Sequence, residues 1–336
     1  MNKTTFCILL CVAMLSCNKS KYFPDNCKYN TEIFRFDSAL ITMDKGDIYK
    51  ETVSLYKTYP IFTPIFIENI IGMNSADTLS VSNALEQFLN DTLYGFRQTN
   101  EKVLAVFEDI SPVKTQLDKA FGRIQYLYPI LEIPEIWFMV SGFNSSLFFW
   151  NDEKFKENMA VGSDMYLGSD YEYYNKVVYN YQKSNMRPEC MPVDIVSAFM
   201  FKNFPYNYNK NRLIDNIIYR GKIMYCVSLI FDTTENYEVM GYSKEQWDWC
   251  RKNESEIWKL MIDKHDLFKS ESLLLTSYLN DGPFTSEISQ DSPARIGTWI
   301  GWQIVESYMK NNDVSLQELI ANNDAQLILE QSNYRP

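Results

Sequence analysis

Apolar residues recur at three- and four-residue spacing over most of the chain, the period of a helix that buries one face. In the N-terminal half this pattern covers Tyr49–Tyr59, Pro64–Ile71, Leu79–Leu89 and Val103–Phe107. Pro112 then opens an amphipathic stretch reaching Tyr128. Proline suits a first helical turn, where its missing N–H leaves no bond unmade. The pattern changes after residue 135. Ile136–Val140, Leu147–Trp150 and Asn158–Val161 are short apolar or aromatic runs, parted by Ser141-Gly142-Phe143-Asn144 and Asn151-Asp152-Glu153. Short runs bounded by turn residues predict three strands of a small sheet. Ile33–Asp37 alternates briefly and predicts an edge strand or the start of a helix. From Tyr171 the helical period returns, predicting helices near 171–183, 190–203, 211–230, 244–264, 270–280, 295–311 and 315–330. The expected fold class is α+β: a single large, predominantly α-helical domain with one small central β-sheet. It lacks the regular strand–helix alternation of parallel α/β folds.

The N-terminus follows a different logic. Lys3 precedes an apolar run, Phe6–Leu15, that is too short to cross a bilayer comfortably. Leu15-Ser16-Cys17 then places a cysteine after an apolar and a small residue, where cleavage is expected. This pattern resembles a bacterial lipobox. It predicts a signal peptide over 1–16, lipidation of Cys17, a lipidated tether over 17–30 and a globular domain over 31–336. Several acyl chains on one cysteine anchor a protein stably without a transmembrane helix. No later apolar run is long enough to span a membrane; Met191–Met200 is short and broken by Asp194.

Composition narrows the function. The chain has 336 residues, with 32 Lys and Arg against 43 Asp and Glu, for a net charge of −11. Losing Lys3 with the signal makes the remainder about one unit more acidic. Duplex nucleic acid needs a field of cations, so it is not an expected partner. Hydrophobic residues at 46% and charged residues at 22% exclude a disordered chain. His265 is the sole histidine. A zinc site built from two imidazoles therefore cannot form within one chain, and any His-dependent triad has to use His265. No metal or cofactor is expected. After signal removal, Cys27, Cys190, Cys226 and Cys250 remain beside Cys17, none in a CxxC pair, and most sit in apolar segments that favour buried thiols.

Seven strings, in order, carry a family resemblance. They are Phe34-Arg35-Phe36-Asp37, Gly142-Phe143-Asn144-Ser145, Asp164 through Tyr171, and Gly221-Lys222-Ile223-Met224-Tyr225. Then come Gly241 through Gln246 running into Trp249-Cys250, Asn253-Glu254 with Ile257-Trp258, and Arg295 through Val305. Together, behind a lipobox, they resemble the gliding-motility lipoprotein GldB family of Bacteroidetes-type bacteria over nearly the whole mature chain. The resemblance implies a cell-envelope lipoprotein linked to gliding and its secretion machinery.

A more remote resemblance rests on Gly297-x-x-x-Gly301-Trp302-x-Ile304-Val305 followed by Ser315-Leu316-x-Glu318-Leu319. This looks like the tail of predicted zincin-type proteases, in which an HExxH helix is followed one helix later by a Glu-Gly pair. The corresponding helix here, Pro192–Phe199, has no histidine, and the later one carries Tyr219-Arg220-Gly221-Lys222. The resemblance then implies a zincin-like scaffold whose metal site is lost, a pseudoenzyme. Two helical folds that merely share a Gly-rich helix give the same strings.

The residues offer their own candidates. Asp164 and Asp170 lie six apart among Tyr166, Tyr171, Tyr173 and Tyr174, a pattern compatible with a glycosidase pair. Asp170 reads equally as the cap of a helix starting at Tyr171, and Asp164 as a turn residue at the end of a strand. Asp194 is a carboxylate on an otherwise apolar helix. A cation from Arg220 or Lys222 would satisfy it, and this Asp194–Arg220–Lys222 cluster would occupy the degenerate site. His265 ends a long helix, where an imidazolium is favoured. Arg295 begins a helix, where a cation is not, so a carboxylate partner or a bound anion is expected there. Gly297 and Gly301, one turn apart, allow another helix to approach closely. Asn144 and the tyrosine-rich Tyr206–Asn211 loop are further ligand candidates.

Two functions remain open on the sequence. One is a non-catalytic interaction lipoprotein of the envelope, held to the membrane by Cys17 and bound to an envelope protein partner. The other is a carboxylate-dependent hydrolase using Asp164, Asp170 or Asp194, with glycan binding without hydrolysis as a further variant. Asn18, not Asp, follows the cysteine, and Asn18-Lys19-Ser20 has no acidic run. These features predict the outer membrane, periplasmic face.

Overall fold

The computed structural model describes residues 22–92, 95–206 and 210–336. The expected signal peptide and Cys17 lie outside the described residues. The fold is α+β and mostly helical, with one four-stranded sheet.

Strand β1 (Ile33–Arg35) runs directly into α1 (Phe36–Ile41), so the short alternating stretch supplies both elements. Arg35 makes the junction. Its guanidinium donates to Asp37 Oδ1 at 2.8 Å and to the Phe107 carbonyl at 2.5 Å, while Asp37 also accepts from Ser38 N–H. Asp37 is fully buried, and this pairing offsets the desolvation of its charge. Helices α2 (Ile48–Thr58), α3 (Phe62–Phe66, continuing as π-helix over Ile67–Ile71), α4 (Thr78–Asn90), α5 (Phe96–Val106) and α6 (Ser111–Leu127) follow.

The sheet is completed by β2 (Ile136–Met139), β3 (Leu147–Asn151) and β4 (Glu157–Gly162), in the order β1-β2-β4-β3. β2 is parallel to both neighbours, and only β3 pairs antiparallel, with β4. This explains why Ile136–Met139 is apolar without alternation: a central strand covered on both faces has no solvent side to make polar. Trp137 on β2 stacks on Phe34 of β1, with centroids 4.2 Å apart, and meets Phe62 and Trp150.

The second half supplies α7 (Tyr174–Val177), α8 (Asn180–Lys183), α9 (Met191–Asn203), α10 (Leu213–Ile230), α11 (Asn236–Met240), α12 (Lys244–Asp263), α13 (Ser272–Leu279), α14 (Ile296–Asn311), α15 (Leu316–Ala321) and α16 (Ala325–Ser332). Two long helices expected from the pattern are each broken. The helix expected over 171–183 is divided by Val178 and Tyr179, both extended. The one expected over 315–330 stops at Asn322, and Asp324 then caps a new helix by accepting from Leu327 N–H at 3.1 Å. Polar Asn and Asp side chains compete for the backbone there, which periodicity alone does not register.

α10 is buried on all sides, and α14 crosses it almost backbone to backbone. A Cβ on Gly301 would lie 1.7 Å from the Ile217 carbonyl oxygen, and one on Gly221 would lie 2.2 Å from the Gly301 carbonyl carbon. The small residues thus serve internal packing. This seam fixes the start of α14, and with it Arg295, relative to α9.

Candidate functional site

As β4 ends, Ser163-Asp164-Met165 forms one 3-10 turn. That turn sends two neighbouring side chains in different directions: Asp164 toward the loop after β2, Tyr166 toward α9.

Asp164 is sealed. Its Oδ1 accepts from Ser141 N–H at 2.8 Å, and its Oδ2 accepts from Phe143 N–H at 2.8 Å and from the Ser141 hydroxyl at 3.1 Å. Gly142 and Phe143 both have positive φ, +66° and +61°, so the carboxylate pins a strained turn. The Asp164 carbonyl also accepts from the Tyr174 hydroxyl, which in turn accepts from Leu167 N–H. Burial lifts the Asp164 carboxyl to about 6, while the three donors restrain the rise. Asp170, by contrast, is exposed in a turn, and helix α7 starts only at Tyr174, without a side-chain cap. Asp170 therefore does not cap a helix at Tyr171, and neither aspartate lines the large cleft described next. Asn144 is exposed in the turn that Asp164 pins.

Asp194 occupies a different setting. It stands in the first turn of α9, where a negative charge suits the helix dipole. It lines a cleft of about 290 Å³. The cleft lies between α9, the turn carrying Met165 and Tyr166, the α8 region with Tyr181, Gln182 and Asn185, and Glu238–Gly241 at the end of α11. Met186, Met224, Val193 and Phe201 add apolar wall. The Tyr166 hydroxyl donates to Asp194 Oδ2 at 2.9 Å. Solvent reaches Asp194 from the cleft mouth, yet protein atoms crowd its carboxyl. That crowding lifts the acid to about 6, against the lowering effect of Tyr166 and Arg295, with Asp281 adding a smaller upward push. Cys190, one turn before Asp194, is buried, and Asp194 and Glu238 both help to raise its thiol, to about 11.

Arg295 forms the opposite wall. It is the residue before α14 and has φ +59°, a left-handed conformation rare outside glycine. Its side chain explains why that is tolerated. Nη2 donates to the Met240 carbonyl at 2.7 Å, Nε lies 2.9 Å from Asp281 Oδ1, and the guanidinium sits over the Tyr242 ring. The contact with Asp281 is a charge pair without an aligned N–H, so Nε has no hydrogen-bond partner. Gly241 makes room: a Cβ there would lie 2.9 Å from Arg295 Nη2, and its φ of +71° is itself left-handed.

The Asp194–Arg220–Lys222 cluster expected from the sequence is not assembled. Lys222 is buried and donates to the Ile320 carbonyl at 3.2 Å and the Asn322 carbonyl at 2.5 Å, closing the end of α15. Burial lowers its ammonium to about 8. Arg220 donates to the Leu279 carbonyl at 2.6 Å, at the end of α13. Helix C-termini gather unpaired carbonyls and partial negative charge, which attract cations. The cation near Asp194 is Arg295, at the start of a helix about a hundred residues further on. His265 is exposed in a left-handed conformation just after α12, and its backbone N–H donates to the Ile262 carbonyl. The Tyr206–Asn211 loop lies partly outside the described residues. Tyr166, Asp281 and Glu238 carried no signal in the sequence that joined them to Asp194. Among the described residues, no group of three or more His, Cys, Asp or Glu side chains gathers in a metal-binding arrangement.

The fold and site define a class: a mostly helical α+β domain with an acidic, methionine-walled cleft at the N-terminal end of a buried helix. The family model described as gliding motility protein GldB matches residues 17–336, and the chain belongs to that family. No match was found among curated proteins or among solved structures.

Proposed function

We propose that this gliding-motility-associated protein is an envelope lipoprotein that acts by docking, as a non-catalytic component linked to the gliding or secretion machinery. The family match over 17–336, which starts at the cysteine of the lipobox, is the observation that carries this reading. In the same proposal, residues 1–16 are removed, Cys17 holds the lipid, 17–30 is a tether and 31–336 is the working domain. The anchor lies in the outer membrane, facing the periplasm. Among the described residues, no helix is long and apolar enough to cross a membrane. The proposal of a lost zincin site is supported by the donors on α9: the position that faces the cleft holds Asp194, bonded to Tyr166 and near Arg295, with no imidazole.

Metabolic labelling with an alkynyl fatty acid tests the anchor, with Cys17→Ala expected to abolish both label and membrane retention. Crosslinked affinity isolation of the anchored protein tests the partner. Recovery of an envelope component of the gliding or secretion apparatus supports the reading; a specific catch restricted to cytoplasmic proteins refutes it. A second reading, a carboxylate-dependent hydrolase or glycan-binding lipoprotein, is favoured by one observation. Asp194, Glu238 and Asp281 converge on a single cleft. Cleavage of a glycan or peptide by the purified chain, lost in Asp194→Asn, would establish it over docking.

A further inference from the structure

The two edges of the four-stranded sheet are finished differently. At one edge β1 is three residues long, runs straight into α1 and ends on Arg35, whose guanidinium is bonded to the Phe107 carbonyl. At the other edge lies β3, Leu147-Phe148-Phe149-Trp150-Asn151, with no proline and no charged residue. It pairs one-to-one with β4, so no bulge twists it away. Two bonds fix the phase of that ladder. Gly162 N–H donates to the Ser146 carbonyl at 2.9 Å, and Asp152 N–H donates to the Lys156 carbonyl at 3.0 Å. Antiparallel ladders bond alternate residues. Phe148 and Trp150 therefore bond to β4, while Leu147, Phe149 and Asn151 turn their N–H and C=O groups outward. None of these outward groups has a hydrogen-bond partner among the described residues. Charges, prolines and bulges normally guard an open edge, and β3 itself carries none of them. The same hairpin exposes Phe155 at its tip.

The outward donors and acceptors recur at every second residue, about 7 Å apart, a spacing that another extended backbone matches and a lipid, glycan or small ion does not. Side chains choose among backbones. The Lys202 ammonium lies 4.4 Å from the Phe149 ring centroid and pairs with Glu157, so on that face the charges are already matched. On the opposite face Trp150 packs 5.4 Å from Phe62 and 5.6 Å from Trp137. A strand added beside such residues gains most from β-branched and aromatic side chains. The chain carries a net charge of −11, which opposes pairing with a second copy and favours a segment without acidic residues. We propose that the outer edge of β3 receives an extended segment of a partner polypeptide as an added strand, non-acidic and rich in β-branched and aromatic residues. This deepens the docking reading by naming the surface that docks, and it rests on that reading for the natural strand coming from a partner.

The test uses the full chain in detergent and a dye-labelled peptide of alternating threonine and valine with a lysine at each end. Fluorescence anisotropy should show saturable binding. Amide-resolved hydrogen exchange should show new protection at Leu147, Phe149 and Asn151, but not at Phe148 and Trp150, which β4 already holds. The same peptide N-methylated at successive residues keeps its charge and loses the donors of both its edges, and it should bind about tenfold more weakly or worse. Asn151→Pro removes one outward N–H without costing a bond to β4. It should weaken the peptide about fivefold at an unchanged melting temperature, while Asn151→Thr, which keeps the N–H, should leave it unchanged. No saturable binding, equal binding of the N-methylated peptide, or protection confined to other segments overturns the proposal. So does dimerisation of the chain alone in sedimentation velocity that Asn151→Pro abolishes, since a second copy then occupies the edge. The peptide reads the edge and the crosslinked isolation reads the partner, so each can fail without the other.

Discussion

Two aspartates thirty residues apart reach the same raised pKa in different surroundings. Burial lifts the Asp164 carboxyl to about 6, and crowding by protein atoms lifts that of Asp194, which solvent still reaches, to about 6. Asp164 is enclosed and accepts from two backbone N–H groups and a hydroxyl. Asp194 has one donor, Tyr166, and one oxygen turned to a cleft. The difference shows that a raised carboxyl is not by itself the mark of a site. Unmet hydrogen-bonding capacity in an open space is what distinguishes the second from the first.

The sharpest way to break the comparison is to delete each carboxylate in turn. Asp164→Ala strands two inward-facing N–H groups in a strained turn and should destabilise the chain by about 3–5 kcal/mol in urea unfolding. Asp194→Ala leaves only the Tyr166 hydroxyl, at a cleft that water can enter, and should cost no more than about 1 kcal/mol. Equal losses would erase the distinction between a closed corner and an open one.

The pH dependence of stability comes next. The Asp164 carboxyl is near 6 when folded and near its ordinary 3.8 when unfolded. Between those values the folded state holds more protons, so stability is greatest below about pH 4 and declines as pH rises toward 6. For Asp164 that decline amounts to about 3 kcal/mol. Asp232 works in the opposite sense. The Arg123 guanidinium, helped by Lys119, holds it down at about 2, so its contribution is present above pH 4 and lost as pH falls toward 2. Unfolding measured from pH 4 to 6 should show a falling slope in the native chain and a flatter one in Asp164→Asn.

Two smaller effects sharpen the cleft side. Arg295→Ala removes the bond to the Met240 carbonyl and the charge beside Asp194, while keeping a left-handed backbone that a non-glycine residue tolerates poorly. It should cost about 2 kcal/mol and raise the Asp194 carboxyl further, by about one unit in a carboxyl-carbon NMR titration. Tyr166→Phe removes one hydrogen bond, with a loss of about 1 kcal/mol or less. It should also move the Asp194 titration upward, while Asp164 stays in place.

Much of the architecture is legible in the residues. The three runs at 136–140, 147–150 and 158–161 become strands, and the long apolar periods become helices α2, α4, α9, α10, α12 and α14 with only small shifts at their ends. β1 and its parallel pairing with β2 were less visible, because a three-residue strand has almost no period and finds its partner about a hundred residues away. The candidate site was half visible. Asp194 stands out because a charge on an apolar helix needs an explanation, and Arg295 because a cation at a helix start does. Nothing in the spacing joined them, and the nearer cations Arg220 and Lys222 drew the pairing away. Those two instead close the ends of α13 and α15, whose positions depend on how four helices pack.

The sequence alone determined what chemistry is available: one imidazole, a lipobox-like Leu15-Ser16-Cys17, an acidic composition and a helical period interrupted once by short strands. These are properties of composition and local order, and they survive any arrangement of the elements. The tertiary structure decided which carboxylate is closed and which is open. That depends on distance across the fold: on a 3-10 turn aiming Asp164 and Tyr166 apart, and on Gly221 and Gly301 letting α14 come close enough to bring Arg295 beside α9.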